Sequence, residues 1–183
     1  RKKFQNMTGN TVSTIEEQAG SASEDHTDSA DSDNLPAERP QRIMLVTDAW
    51  EPQMNGVVRT LTRTIAECRE MGHEVEIIHP GLGYKTYPLP TYPDIQIALG
   101  AKKDIARRFK EFEPEAIHIA TEGPLGMAAR SLCLKWKLPF TTSYHTKLPE
   151  YINARFKFIP TAVGYAFMRW FHNSGGRMMV TTP

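Results

Sequence analysis

The sequence predicts an α/β domain built on a parallel sheet with helices on both faces. Three observations carry this expectation. Apolar runs of strand length recur from residue 42 to residue 182. Between them lie stretches whose apolar side chains fall at helical spacing. Gly72 and Pro114 stand where two of those stretches stop. Strands that alternate with helices pair in parallel, because each helix carries the chain back to the starting edge of the sheet.

Each element has its own reason. "RIMLVT" (42–47) is a continuous apolar run suited to a central strand covered on both faces. In 57–71, Val57, Leu61, Ile65 and Cys68 share one helical face, and Gly72 follows as a stop. "EVEIIH" (74–79) reads as the second strand. Residues 80–93, "PGLGYKTYPLPTYP", are dense in Pro, Gly and Tyr and read as a loop or irregular edge. "IQIAL" (95–99) follows as a short strand. Ile105, Phe109 and Phe112 mark a second helix. "AIHIAT" (116–121) is a strand, and 124–137 a helix with Leu125, Ala128, Ala129, Leu132 and Trp136 inward. "FTTSYH" (140–145) is a strand, 161–172 a helix and "RMMVTT" (177–182) a last strand. There is no internal repeat. Ligands bind at the carboxyl ends of such strands, so the candidate loops are 48–56, 80–93, 121–126 and 145–150.

Residues 1–40 differ from the rest. From residue 5 onward they hold no aromatic side chain, and they are rich in Ser, Thr, Asp and Glu. Such a segment buries too little apolar area to offset its ordering entropy, so a disordered acidic leader is expected. Its "DSD" (31–33) has the look of a metal-binding carboxylate pair, but composition favours an ordinary acidic tail. The formal net charge of +1 hides a split: residues 1–40 hold four Lys/Arg and eight Asp/Glu, against 18 and 13 in 41–183. A mildly basic body suits an anionic ligand. Cys68 and Cys133 fall in apolar helical patterns, which suits two buried thiols in a reducing compartment. No apolar run reaches the roughly 18 residues that cross a bilayer.

Several chemistries are weakened by what the motifs lack. The first strand–helix loop has one glycine, not the three of a dinucleotide fingerprint, and the second strand ends in His79-Pro80. There is no Walker loop, no G-x-S-x-G elbow and no H-E-x-x-H spacing. What remains is Asn55-Gly56-Val57, where a residue without Cβ meets unpaired helical amides. That is either an anion site fit for a diphosphate or an ordinary capped helix start. His145, at the end of "TTSYH", either bonds a sugar hydroxyl or plays a structural part. Glu122 in "TEGPLG" (121–126) either accepts bonds from a polyol or favours the helix dipole after it. In 151–171, seven aromatics stand among Arg155, Lys157 and Arg169. Helical spacing sends those of 161–171 into a core, whereas Phe156 and Phe158 also suit a membrane interface.

Taken together, "RIMLVTDAWEPQMNGVVRTL", "IHIATEGPLG" and "TTSYHTKLPEY" resemble the amino-terminal domain of family 4 glycosyltransferases, over 41–183. They are most similar to bacterial mannosyltransferase-like members. The resemblance implies one Rossmann-like half of a two-domain GT-B enzyme, acting from a cytoplasmic or peripheral membrane position. It implies a retaining transfer of a hexosyl group, mannosyl included, from a nucleotide-diphosphate sugar to a lipid or glycan acceptor. No nucleic-acid partner, cofactor or metal is implied. Asn55, Gly56 and Val57 would lie at the donor diphosphate and His145 at the transferred sugar, as the catalytic residue. Asp48, Trp50, Glu122 and Tyr144 would face the acceptor. The family's carboxyl-terminal domain, with most nucleotide contacts, is not within 1–183, so this stretch alone is expected to turn over little. A sugar-nucleotide epimerase of similar fold, or a non-catalytic binding module, are the alternatives.

Overall fold

The computed structural model describes residues 39–53, 55–89, 92–145 and 160–180. The leader up to residue 38, with its "DSD" run, lies outside the described residues. So do 146–150 of the last candidate loop, and Phe156 and Phe158.

Seven strands and four α-helices follow one another among the described residues: β1 (Arg42–Val46), α1 (Gly56–Glu70), β2 (Glu74–Ile78), β3 (Lys85–Leu89), β4 (Tyr92–Leu99), α2 (Lys102–Phe112), β5 (Ala116–Ile119), α3 (Pro124–Trp136), β6 (Thr141–Tyr144), α4 (Thr161–His172) and β7 (Arg177–Val180). Five of the strands make one sheet in the order β2-β1-β5-β6-β7, with every neighbouring pair parallel. The segment 80–93 is more regular than a plain loop. Of the two readings offered for it, loop or irregular edge, the second is nearer: after a short 3-10 turn at Pro80–Leu82, β3 pairs antiparallel with β4 as a separate two-stranded ribbon whose register slips at Pro88/Leu89. A ribbon has an outer edge on which no amide is required, so Pro88 is tolerated where a central strand would reject it.

The strand order dictates where the helices go. The β1–α1–β2 connection moves one way along the sheet, and the later connections to β5, β6 and β7 move the other way. Right-handed crossovers in opposite directions place their helices on opposite faces. Accordingly Met44, Val46, Ile78, Ile117 and Ile119 point to one face and pack on Ile105 and Phe109 of α2, Leu125, Ala129, Leu132 and Cys133 of α3, and Phe171 of α4. Leu45, Val75 and Ala120 point to the other face and meet Leu61 and Ile65 of α1 in a smaller core, with Trp50, Val57 and Cys68 packed against it. Phe109 and Phe171, both essentially inaccessible, each contribute about 1.5–3 kcal/mol by burial. Cys133 is buried as expected, but Cys68 is only half-buried, because it sits at the rim of the smaller core.

Candidate functional site at the carboxyl edge

The strand order reverses between β1 and β5, and the loops leaving these two strands part at that point. Asp48 follows β1 there. Its Oδ1 accepts from the Leu125 amide at 2.9 Å and its Oδ2 from the Gly126 amide at 3.2 Å and the Thr121 hydroxyl at 3.0 Å. The Asp48 amide in turn donates to Thr121 Oγ1 at 2.6 Å. The carboxylate therefore caps α3, whose own N-cap residue, Gly123, offers no side chain. Burial pushes the Asp48 carboxyl above its ordinary range, against those hydrogen bonds, and nearby Glu122 adds to the rise. Two glycines make the fit: a Cβ on Gly123 would lie 2.3 Å from Asp48 Cγ, and one on Gly126 would lie 1.9 Å from the Thr121 carbonyl oxygen.

Glu122 does not stand alone either. His172, at the end of α4, reaches Glu122 Oε1 with Nε2 at 3.1 Å and Thr142 Oγ1 with Nδ1 at 2.8 Å. In the neutral ring these contacts set the roles: Nε2–H donates to the carboxylate, and the Thr142 hydroxyl donates to Nδ1. The His172 ring meets Tyr144 edge-on, with centroids 6.1 Å apart. Thus Glu122, Tyr144, Thr142 and His172 form one buried or half-buried group on the side of the larger core.

His145 lies on the opposite side of the edge. It lines a groove of about 700 Å³ beneath β5, β6 and β7, beside α1. Its Nε2 is buried and has no hydrogen-bond partner among the described residues. Burial holds its pKa below the usual histidine value, with Glu122 opposing, so the ring is neutral at pH 7. Next to it on the same face, His118 of β5 bridges two residues of β6: Nδ1 meets Thr141 Oγ1 and Nε2 meets Ser143 Oγ, each at 2.8 Å. The Thr141 hydroxyl leans on the Ile117 carbonyl at 3.4 Å, so Nδ1 carries the proton and Ser143 donates to Nε2. Burial, and then His145, push the His118 pKa down to about 4.

The amino end of α1 completes the edge. Asn55 is the N-cap, its Oδ1 accepting from the Val58 amide at 3.0 Å, and the helix starts at Gly56 rather than after it. Asn55 and Gly56 are exposed. A Cβ on Gly56 would meet nothing within 4 Å, so the glycine leaves open space at the helix end. Trp50 stacks obliquely on His79, with centroids 5.0 Å apart, and packs against the α1 core. Among the described residues no three His, Cys, Asp or Glu side chains gather as a metal site would require.

The structure thus brings Asp48 and Glu122 together at α3, joins Glu122 to Tyr144 through His172, and sets His145 and the α1 terminus on the other side. Sequence reasoning missed His172, Thr121, Thr142 and His118. The signals for them were slight: Thr121 is a hydroxyl just past a strand end, Thr142 lies inside the strand "FTTSYH", and His118 alternates with apolar neighbours in "AIHIAT".

Residues 54–183 match the family model described as Glycosyltransferase Family 4. The chain is 27% identical over 127 residues to sulfoquinovosyl transferase of Arabidopsis thaliana, covering 62% of this chain and 25% of that protein. It is 25% identical over 151 residues to a GDP-mannose-dependent alpha-mannosyltransferase of Corynebacterium glutamicum, covering 74% and 36%. It is 25% identical over 150 residues to alpha-monoglucosyldiacylglycerol synthase of Streptococcus pneumoniae, covering 74% and 34%. The chain therefore spans about a quarter to a third of the length of these relatives.

Proposed function

The chain belongs to glycosyltransferase family 4, and on that premise we propose that it forms the acceptor-side half of a retaining hexosyltransferase. The donor is a nucleotide-diphosphate sugar, and mannose is the favoured hexose because GDP-mannose-dependent enzymes stand among its relatives. The acceptor is a lipid or a glycan. Of these, a lipid is supported by the relative that is an alpha-monoglucosyldiacylglycerol synthase. The enzyme works at the cytoplasmic face of a membrane.

One observation carries the reading: His145 Nε2 is a buried polar atom at the carboxyl edge whose partner is not supplied by the described residues. Leaving such an atom unpaired costs about 1–3 kcal/mol, which a ligand hydroxyl recovers. A neutral imidazole can bond a sugar hydroxyl without adding charge beside the reacting carbon. In the transfer, the bond between the anomeric carbon and the diphosphate oxygen breaks, and its electron pair leaves with the diphosphate. The acceptor oxygen bonds that carbon and gives its proton to the departing diphosphate oxygen. Charge grows on the departing diphosphate, where the free amides at the start of α1 would stabilise it; preorganised donors of this kind are worth a few kcal/mol each. Asp48 acts by holding α3 and its loop, and Glu122 by fixing His172 and Tyr144 toward the acceptor.

The test uses the longer enzyme and a labelled sugar nucleotide. His145→Ala is expected to lower turnover at least about a hundredfold while urea unfolding changes little. Wild-type turnover in that variant removes His145 from the site.

A further inference from the structure

α4 is apolar on both sides. Gly164, Met168, Phe171 and His172 face inward and are buried. Ala162, Val163, Tyr165, Ala166, Arg169 and Trp170 face outward and are exposed, Val163 by 57% and Trp170 by 50%. The aromatics of 161–171 were expected in the core. Phe171 is there and Phe167 packs against it, but Tyr165 and Trp170 are exposed. A helix with an ordinary aqueous face carries polar residues at these positions, yet α4 has no acidic residue, and Arg169 is its one permanent charge.

Trp170 is held outward rather than left loose. The Arg130 guanidinium lies 3.8 Å from its ring centroid. The same buried arginine donates to the Trp170 carbonyl at 2.8 Å, the Phe171 carbonyl at 3.1 Å and Ser174 Oγ at 2.5 Å. Charge is distributed to match. Residues 123–183 contain eight Lys/Arg and one Asp/Glu, whereas 41–122 contain ten and twelve. Lys135 and Lys137, at the end of α3 on the same face of the sheet, are exposed.

We propose that the outer face of α4 rests on an anionic lipid bilayer, with the Trp170 indole at head-group level. An indole pairs an apolar body with a polar N–H and so favours that depth. Each nearby Lys or Arg adds about 1 kcal/mol of attraction to an anionic leaflet, and no acidic side chain on α4 opposes it. The helix has 12 residues, about 18 Å of rise, and so lies on a hydrocarbon core of about 30 Å instead of crossing it. The inference deepens the lipid-acceptor reading and rests on it for its purpose; its test reads binding without transfer, so the two can fail separately.

The 183-residue chain is sedimented with vesicles of phosphatidylcholine alone and of phosphatidylcholine mixed with phosphatidylglycerol. Binding is expected to the mixed vesicles only, weakening with salt, with a blue shift of tryptophan emission that Trp170→Phe removes. Val163→Asp, an exposed change that leaves the core untouched, is expected to lower binding at least about tenfold at unchanged circular dichroism. Three outcomes overturn the proposal: equal or no binding to the two vesicle types, wild-type binding by both variants, or a dimer in light scattering that Val163→Asp dissolves. The last would make this face a contact between copies. Vesicle binding by a longer enzyme that transfers sugar only to soluble glycans would leave the docking standing and refute the lipid acceptor.

Discussion

The two faces of the sheet were built from one strand order, yet they differ in closure and in chemistry. Three helices seal one face with Phe109, Leu125, Phe171 and their neighbours. Among the described residues α1 alone covers the other, and a groove of about 700 Å³ runs beneath β5, β6 and β7. The cause is crossover handedness, since one connection moves toward β2 and three move toward β7. The closed face holds its polar groups in pairs: Asp48 with the α3 amides, Glu122 with His172. The open face holds His145 Nε2 without a partner among the described residues. The larger core is thus on one side, and the unpaired imidazole nitrogen on the other.

Removing a ring from the closed face gives the largest expected effect. Phe171→Ala deletes a side chain with no accessible surface, against which Phe167 and the His172 ring pack. It should cost about 3–5 kcal/mol, read as a lower midpoint in urea. A loss below about 1 kcal/mol would mean that the larger core is not the stabilising one.

The next effect tests the open face through pH. His118 titrates at about 4 in the fold and near 6.5 when unfolded. Above pH 6.5 the ring is neutral in both states. As pH falls from there toward 4, the unfolded chain takes the proton first, so stability is lost across that window and levels off below it. The loss should amount to about 2–3 kcal/mol, after discounting for partial exposure. His118→Gln removes the titration, so the difference between the two urea series, measured from pH 7 to 4, isolates it. A variant that loses stability in parallel with the wild type would show that His118 is solvated and the open face wet.

Gly126→Ala returns to the closed face. Its new methyl would be driven into the Thr121 carbonyl, whose residue is tied to Asp48, and against Ile119, the last residue of β5. Overpacking of this kind costs about 1–3 kcal/mol. It should also disturb the Asp48 bonds, seen as faster hydrogen exchange of the Leu125 and Gly126 amides.

The contrast also marks what one sequence discloses. Local periodicity was enough for the parallel-sheet strands and the helices, because each depends on residues within a few positions of one another. Of the β3–β4 ribbon, 95–99 was legible as a strand, whereas β3 was hidden because Pro88 and its neighbouring turn residues carry the signal of a loop. The uneven covering of the faces follows from strand order, which periodicity does not contain. The site was legible as single positions: His145, Glu122 and Asp48 all lie at strand ends. Their partners were not, because Asp48 bonds an amide 77 positions away and Glu122 a ring 50 positions away. His118 was masked differently, since in "AIHIAT" it looks like one more strand residue until β6 is placed beside it.

The smallest stability effect is expected at Gly56, and it separates the two regions most sharply. Like Gly126 it stands near the start of a helix, but on α1 the space around it is empty. Alanine there relieves the backbone entropy of glycine and touches nothing, so the unfolding midpoint should stay level or rise, by at most about 1 kcal/mol. If a diphosphate approaches the free amides of α1, the added methyl occupies the path. In the longer enzyme, affinity for a nucleoside diphosphate should then fall by about tenfold, or about 1.4 kcal/mol, in equilibrium titration. Unchanged affinity at unchanged stability would place the diphosphate elsewhere, and His145 would have to be judged without the α1 terminus as its companion. A fall in affinity with an intact fold would mean that the emptiness at Gly56 serves a ligand, whereas the crowding at Gly126 serves the fold.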